Sequence, residues 1–237
     1  MKDRIYKVGK VNISVTDPQD AERKITEAAL GGITDYICVS NVRTVLYANK
    51  HEDYCKLMNE AFMCLPDGMP LIWMARLWGL NNVRRTDGPR LFVSMLQKPQ
   101  NGVRHFLLGD TEESLQKIST MYRDALIAGT YSPPFKPLAE YDIRAIADRI
   151  NESGAHVVWI SLRAPKQDEL AQMLKPYLKN KLCIGVGAAF RFALGEYQHP
   201  NKVIQKLGLT GFFWRKIGMR EAGTYIKYAM NLVKWGG

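Results

Sequence analysis

Asp67 stands at the end of a short apolar run, Phe62-Met63-Cys64-Leu65-Pro66, and directly before Gly68. A lone carboxylate leaving a buried segment is partly desolvated, which suits a general base; the same Asp-Gly pair also suits a turn or a helix cap. A second candidate is Gly185-Val186-Gly187-Ala188-Ala189-Phe190, a truncated GxGxxG in which Phe190 replaces the third glycine. Small residues let backbone N–H groups approach an anion, yet a position this late in the chain argues against a dinucleotide fingerprint. The third is Ala164-Pro165-Lys166-Gln167-Asp168. There Gln167 could hydrogen-bond a sugar or base and Lys166 could meet a phosphate, or the proline simply opens a helix. The four histidines stand far apart, and there is no HxxxH, HExxH, GxSxG, P-loop or DxD. The expectation is chemistry that uses no metal and no cofactor.

Such residues act together only if strands and helices gather them. Residues 4–15 alternate like a strand pair through Val8, Val11, Ile13 and Val15. Asp17 or Asp20 is placed to cap a helix over 21–30, which Gly31-Gly32 ends. Apolar runs predict buried strands over 35–40, 62–66, 104–110, 156–162 and 181–186, with a short one over 131–134 cut by Pro133 and Pro134. Helices are expected after Asn41 through Val45, Leu46 and Ala48, and over 69–77, 114–125, 139–152 and 166–178. This alternation indicates βαβ units, hence an α/β fold with a mainly parallel, Rossmann-like sheet flanked by helices. In such sheets ligands bind beyond the carboxyl ends of the strands, where Ser40-Asn41, Asp67-Gly68, Gly109-Asp110, 162–167 and 185–189 fall.

Taken in order, the loops form a recognisable series: Asn41 with Val42, Leu65-Pro66-Asp67-Gly68-Met69-Pro70, Arg85-Thr86-Asp87-Gly88-Pro89, Phe106-Leu107-Leu108-Gly109, Gly129 to Phe135, Ala164-Pro165-Lys166-Gln167 and Gly185 to Phe190. Over about residues 5–215 the chain resembles the WecG/TagA/CpsF family of bacterial glycosyltransferases (glycosyltransferase family 26). The resemblance implies an inverting, metal-independent hexosyl transfer from a UDP-sugar to a polyprenyl-diphosphate-linked saccharide. It places the protein in teichoic acid, capsule or exopolysaccharide assembly for the cell envelope. Position by position it makes Asp67 the catalytic base, Asn41 the asparagine of an early T-x-N motif, Gln167 the glutamine of a PKQE-like motif, and Gly185, Gly187 and Ala188 the nucleotide-side loop. Arg85, Gly109, Arg191, Arg215 and Arg220 complete the substrate-binding candidates, the arginines to meet the charge of the departing UDP. Four departures stand out: Val39 for the threonine, Asp168 for the glutamate, and Arg90 and Arg191 where the family carries acids. Either arginine could read an anionic group such as a uronic acid carboxylate. A non-enzymatic alternative is a degenerate member that scaffolds lipid-linked sugar, and a further one is a nicotinamide or flavin enzyme using the Gly185 loop.

Composition bounds these readings. The 237 residues are 46% hydrophobic and 24% charged, ordinary for a folded protein. No run reaches the roughly 18–20 apolar residues that span a bilayer, and no apolar h-region follows the first basic residues. The four cysteines show no CxxC and read as buried thiols. Secretion, membrane spanning and zinc-ribbon chemistry are therefore not expected. The net charge is +10, and residues 198–237 supply +6 of it, from seven basic residues against Glu221. Phe212, Phe213, Trp214, Tyr225, Tyr228 and Trp235 are interleaved with them. That pattern suits an anionic membrane surface or an ordinary amphipathic helix; nucleic acid is not expected, since no binding module accompanies it. The expected division is an α/β catalytic domain over 1–195 and a basic amphipathic, membrane-associating helical appendage over 196–237. The expected location is the cytoplasmic face of the cell membrane, with homo-oligomers allowed.

Overall fold

The protein is described by a computed structural model over residues 4–198, so the basic appendage from residue 199 on, with Arg215 and Arg220, lies outside the described residues. Its centre is a six-stranded, all-parallel sheet. The strands are β3 (Asp35–Ser40), β4 (Met63–Pro66), β5 (His105–Gly109), β6 (Ile127–Tyr131), β7 (Val157–Ser161) and β8 (Leu182–Gly185), in the order β4-β3-β8-β7-β5-β6. A separate antiparallel hairpin, β1 (Ile5–Val8) and β2 (Val11–Ser14), turns at Gly9, whose φ is +60. The α/β fold with a parallel sheet is thus the one read from the alternation.

Side chains of successive strand residues point to opposite faces, and each face has its own core. Tyr36, Cys38, Val158, Ile160 and Cys183 meet the hairpin and helices α2 (Val42–Lys50), α3 (Glu52–Glu60), α4 (Met69–Leu77), α7 (Ile143–Glu152) and α8 (Lys166–Leu174). Ile37, Val39, Val157, Trp159, Leu182 and Ile184 meet α1 (Pro18–Leu30), α5 (Gly88–Leu96), α6 (Glu112–Met121) and α9 (Ala189–Ala193). Strands covered on both sides need apolar residues at every position, which is why they read as continuous apolar runs. All four cysteines are buried in these layers.

Several boundaries differ from the pattern reading, each for a local reason. The edge strand β6 ends at Tyr131 rather than running through 131–134, because Pro133 and Pro134 have no N–H to give a ladder. The helix expected over 139–152 begins at Ile143, where the Asp142 side chain caps it by accepting from the Ala145 N–H at 2.9 Å. The helix expected to 178 stops at Leu174, and a 3-10 turn containing Pro176 follows. Helices α3, α5 and α9 add to the expected set.

Candidate active site

The chain between β4 and β5 must pass from one face of the sheet to the other. α4 packs on the first core and α5 on the second, so residues 85–88 cross the carboxyl ends of the strands. Two contacts fix that crossing. The Thr86 N–H donates to the Pro66 carbonyl at 2.9 Å. Gly88 lies so close to the Gly185 loop that a Cβ there would come within 2.9 Å of the Val186 carbonyl oxygen.

Asp67 follows β4, and its N–H donates to the Ser40 carbonyl at 2.7 Å, extending the ladder by one residue. The crossing segment sets Arg85 against it, with Nε donating to Oδ1 at 3.0 Å and side chains only 17% and 21% exposed. Burial pushes the Asp67 carboxyl up to about 6, with the Asp87 charge adding to the effect and Arg85 and Arg90 opposing it. Asp87 itself is buried and caps α5 through the Arg90 N–H at 3.1 Å. A carboxylate whose proton affinity burial has raised, and which a guanidinium orients, suits a general base.

Asn41 caps α2. Its Oδ1 accepts from the Arg43 and Thr44 N–H groups at 2.9 and 3.2 Å, and Thr44 Oγ1 accepts the Asn41 N–H in return. That leaves the amide Nδ2 as the donor it could offer a ligand. Gly68, at φ +148, lies beside it: a Cβ on Gly68 would fall 4.0 Å from that of Asn41.

The middle of the sheet edge is tied by Gln167. This buried side chain accepts the Gly187 N–H at 2.8 Å, and Ser161 Oγ donates to the Gly187 carbonyl at 2.6 Å. Gly185 is glycine because a Cβ would meet Asp168 Oδ1 and Gln167 Nε2 at 2.8 Å. Beyond it, Gly109 at φ +125 lets β5 approach β7, where a Cβ would come within 2.7 Å of the Ser161 carbonyl oxygen. Arg191 Nη2 pairs with Asp110 at 2.6 Å, and its Nη1 pairs with Glu196 at 2.7 Å. Asp67 and Asp110 follow strands four places apart, or roughly 19 Å at the usual strand spacing. The row of loops is therefore long enough for an extended ligand with chemistry at one end.

Residues 6–218 match the glycosyl transferase WecG/TagA/CpsF family. The chain belongs to this family. It is also 24% identical, over 98% of its own length and 91% of the relative's, to a Bacillus subtilis (strain 168) protein named N-acetylglucosaminyldiphosphoundecaprenol N-acetyl-beta-D-mannosaminyltransferase.

Of the residues singled out in this WecG/TagA/CpsF chain, Asn41, Asp67 and Arg85 form one cluster, Gln167, Gly185 and Gly187 a second, and Gly109 and Arg191 a third. Ala188 is exposed and precedes α9. The Gly187 N–H and Gln167 Oε1 are joined to each other rather than turned to a ligand. Both Nη atoms of Arg191 are held by carboxylates, and Arg90 Nη1 lies 3.4 Å from Asp87. Lys166, a candidate for phosphate, donates instead to the Lys136 carbonyl and the Tyr141 hydroxyl at 2.6 and 3.0 Å. Asp168 was legible only as a conservative replacement in a motif. In the structure it is a buried carboxyl that accepts the Tyr54 hydroxyl at 2.6 Å, and burial pushes it up to about 7 against that bond.

Proposed function

We propose that this glycosyltransferase moves a sugar, with inversion and without a metal, from a UDP-sugar to a saccharide on a polyprenyl diphosphate. The reading rests on one observation: Asp67, at the carboxyl end of a parallel strand, has its carboxyl raised toward neutrality while Arg85 holds it at 3.0 Å. The family membership supports it, as does the relative's name, which describes N-acetylmannosaminyl transfer to a lipid-diphosphate-linked sugar. Asp67 takes the proton from an acceptor hydroxyl as that oxygen bonds to the anomeric carbon, and the bond from that carbon to the diphosphate breaks. UDP leaves with the electron pair, and arginines stabilise its growing charge. Arg215 and Arg220 of the basic appendage are proposed for that task, and the same segment for attachment to the cytoplasmic face of the membrane.

Transfer by purified Asp67→Asn, with a panel of UDP-sugars and a short-chain polyprenyl-diphosphate acceptor, tests the reading. Loss of a positioned base costs roughly 10²–10⁴-fold in rate. Near-wild-type turnover removes Asp67 from the role, and no UDP release by the natural chain from any donor favours the scaffold.

A further inference from the structure

Helix α4 has a side that the proposed mechanism does not use. Leu71, Ile72, Met74 and Ala75 are buried, whereas Trp73, Leu77 and the following Trp78 are 39%, 67% and 54% exposed. Trp73, Arg76 and Leu77 follow one another at i, i+3 and i+4 and so share a stripe. From Gly68 to Thr86 the chain contains three arginines and no acid, and Arg76 and Arg84 are exposed. Grouped tryptophan and leucine beside arginine is the chemistry of a bilayer interface, where indole rings sit among headgroups and guanidinium groups meet anionic lipid.

We propose that this face of α4 seats on an anionic bilayer and so sets the height of Asp67 above it. The choice of occupant follows from the charge, since apolar rings beside Arg76, on a segment that carries arginines and no acid, complement anionic lipid and would repel their own copy. The link to the site is covalent and short. α4 begins two residues after Asp67, and the loop returning from its far end places Arg85 on Asp67. At the rise of an α-helix, Trp73 lies only about 6 Å along the axis from Met69, where the helix starts. Seated in this way, the base meets an acceptor close to where its diphosphate leaves the membrane. That consequence rests on the proposed function, whereas the seating itself does not.

The test uses the full chain with a thiol-reactive, environment-sensitive fluorophore. Because the four natural cysteines are buried, Leu77→Cys and, as a reference on another exposed apolar residue, Phe135→Cys give defined labelling positions. Vesicles containing phosphatidylglycerol should blue-shift the label at 77, and vesicles of phosphatidylcholine alone should not. Trp78→Glu should weaken vesicle binding by about tenfold or more. It should slow transfer to acceptor embedded in vesicles while sparing transfer to acceptor dissolved in detergent. Asp67→Asn should leave the shift at 77 unchanged. Vesicle binding without a shift at 77, a shift at 135 in its place, or no vesicle binding overturns the proposal. So does a vesicle-free shift at 77 that grows with protein concentration, which would make the face a contact between copies. Failure of transfer with every acceptor, alongside an intact shift at 77, removes the proposed activity and leaves the surface.

Discussion

Replacing Arg85 with glutamine should move the acid limb of the pH–rate profile upward. Arg85 Nε lies 3.0 Å from Asp67 Oδ1, and both side chains are less than a quarter exposed, so solvent screens the pair only partly. At an effective dielectric near 20, unit charges about 4 Å apart attract by roughly 4 kcal/mol, which is an upper limit. Hydrogen bonds to charged groups contribute about 1.5–3 kcal/mol, and 1.36 kcal/mol equals one pKa unit, so a rise of about one to two units is expected. The Asp67 carboxyl, natively pushed up to about 6, would then titrate at about 7 to 8. A base works ionised, so the variant loses activity on the acid side. At pH 7 its ionised share falls from about nine-tenths to between about a half and a tenth, and it recovers above pH 8.5. The assay is kcat/KM for transfer between pH 5.5 and 9, which reports groups of the free enzyme. An unmoved limb with a lowered plateau would show that Arg85 serves substrate without tuning Asp67. Absence of the limb from the natural enzyme would refute the base itself.

Gln167→Ala leaves the Gly187 N–H without its acceptor, so thermal unfolding should report a loss of about 1–2 kcal/mol and donor KM should rise. Asp168→Asn keeps an acceptor for the Tyr54 hydroxyl and removes a buried acid. The natural carboxyl, raised from 3.8 to about 7, makes the folded state hold a proton the unfolded state releases, so stability falls as pH rises through that window. In denaturant melts the variant should therefore gain about 2–4 kcal/mol at pH 8 and show no gain at pH 4. Gly109→Ala must take a left-handed φ and press on the Ser161 carbonyl, and it should cost about 2–4 kcal/mol or prevent soluble expression.

What was legible in the sequence was whatever local pattern controls. Runs such as 35–40 and 105–109 announce buried strands because both faces of the sheet are covered. No pattern announces helix α3, since His51 precedes it without a side-chain cap, and none announces α5, since Asp87-Gly88-Pro89 resembles a turn although Asp87 caps a helix there. β6 carries no clear apolar run because none of its residues is fully buried. Asn41, Asp67, Arg85, Gln167, Gly185 and Gly187 were nameable from their motifs. Their partners were not, since pairing Arg85 with Asp67 across 18 positions, or Arg191 with Asp110 across 81, depends on which strands are neighbours. The hidden quantity was strand order.

That order also governs how the molecule comes into being. Among the described residues β8 is the last strand to leave the ribosome, yet it lies between β3 and β7. Before it pairs, β3–β4 and β7–β5–β6 are two ladders, each with a bare inner edge that can recruit another chain. Pairing Asp35 with Leu182 closes a loop of about three quarters of the described chain, a slow kind of contact to form. The contacts of Gly88 with Val186 and of Gln167 with Gly187 wait on the same event. A chain that stops before residue 182 thus keeps two ladders with open edges, which favours aggregation, and the loop contacts around Gly187 form only once β8 is in place.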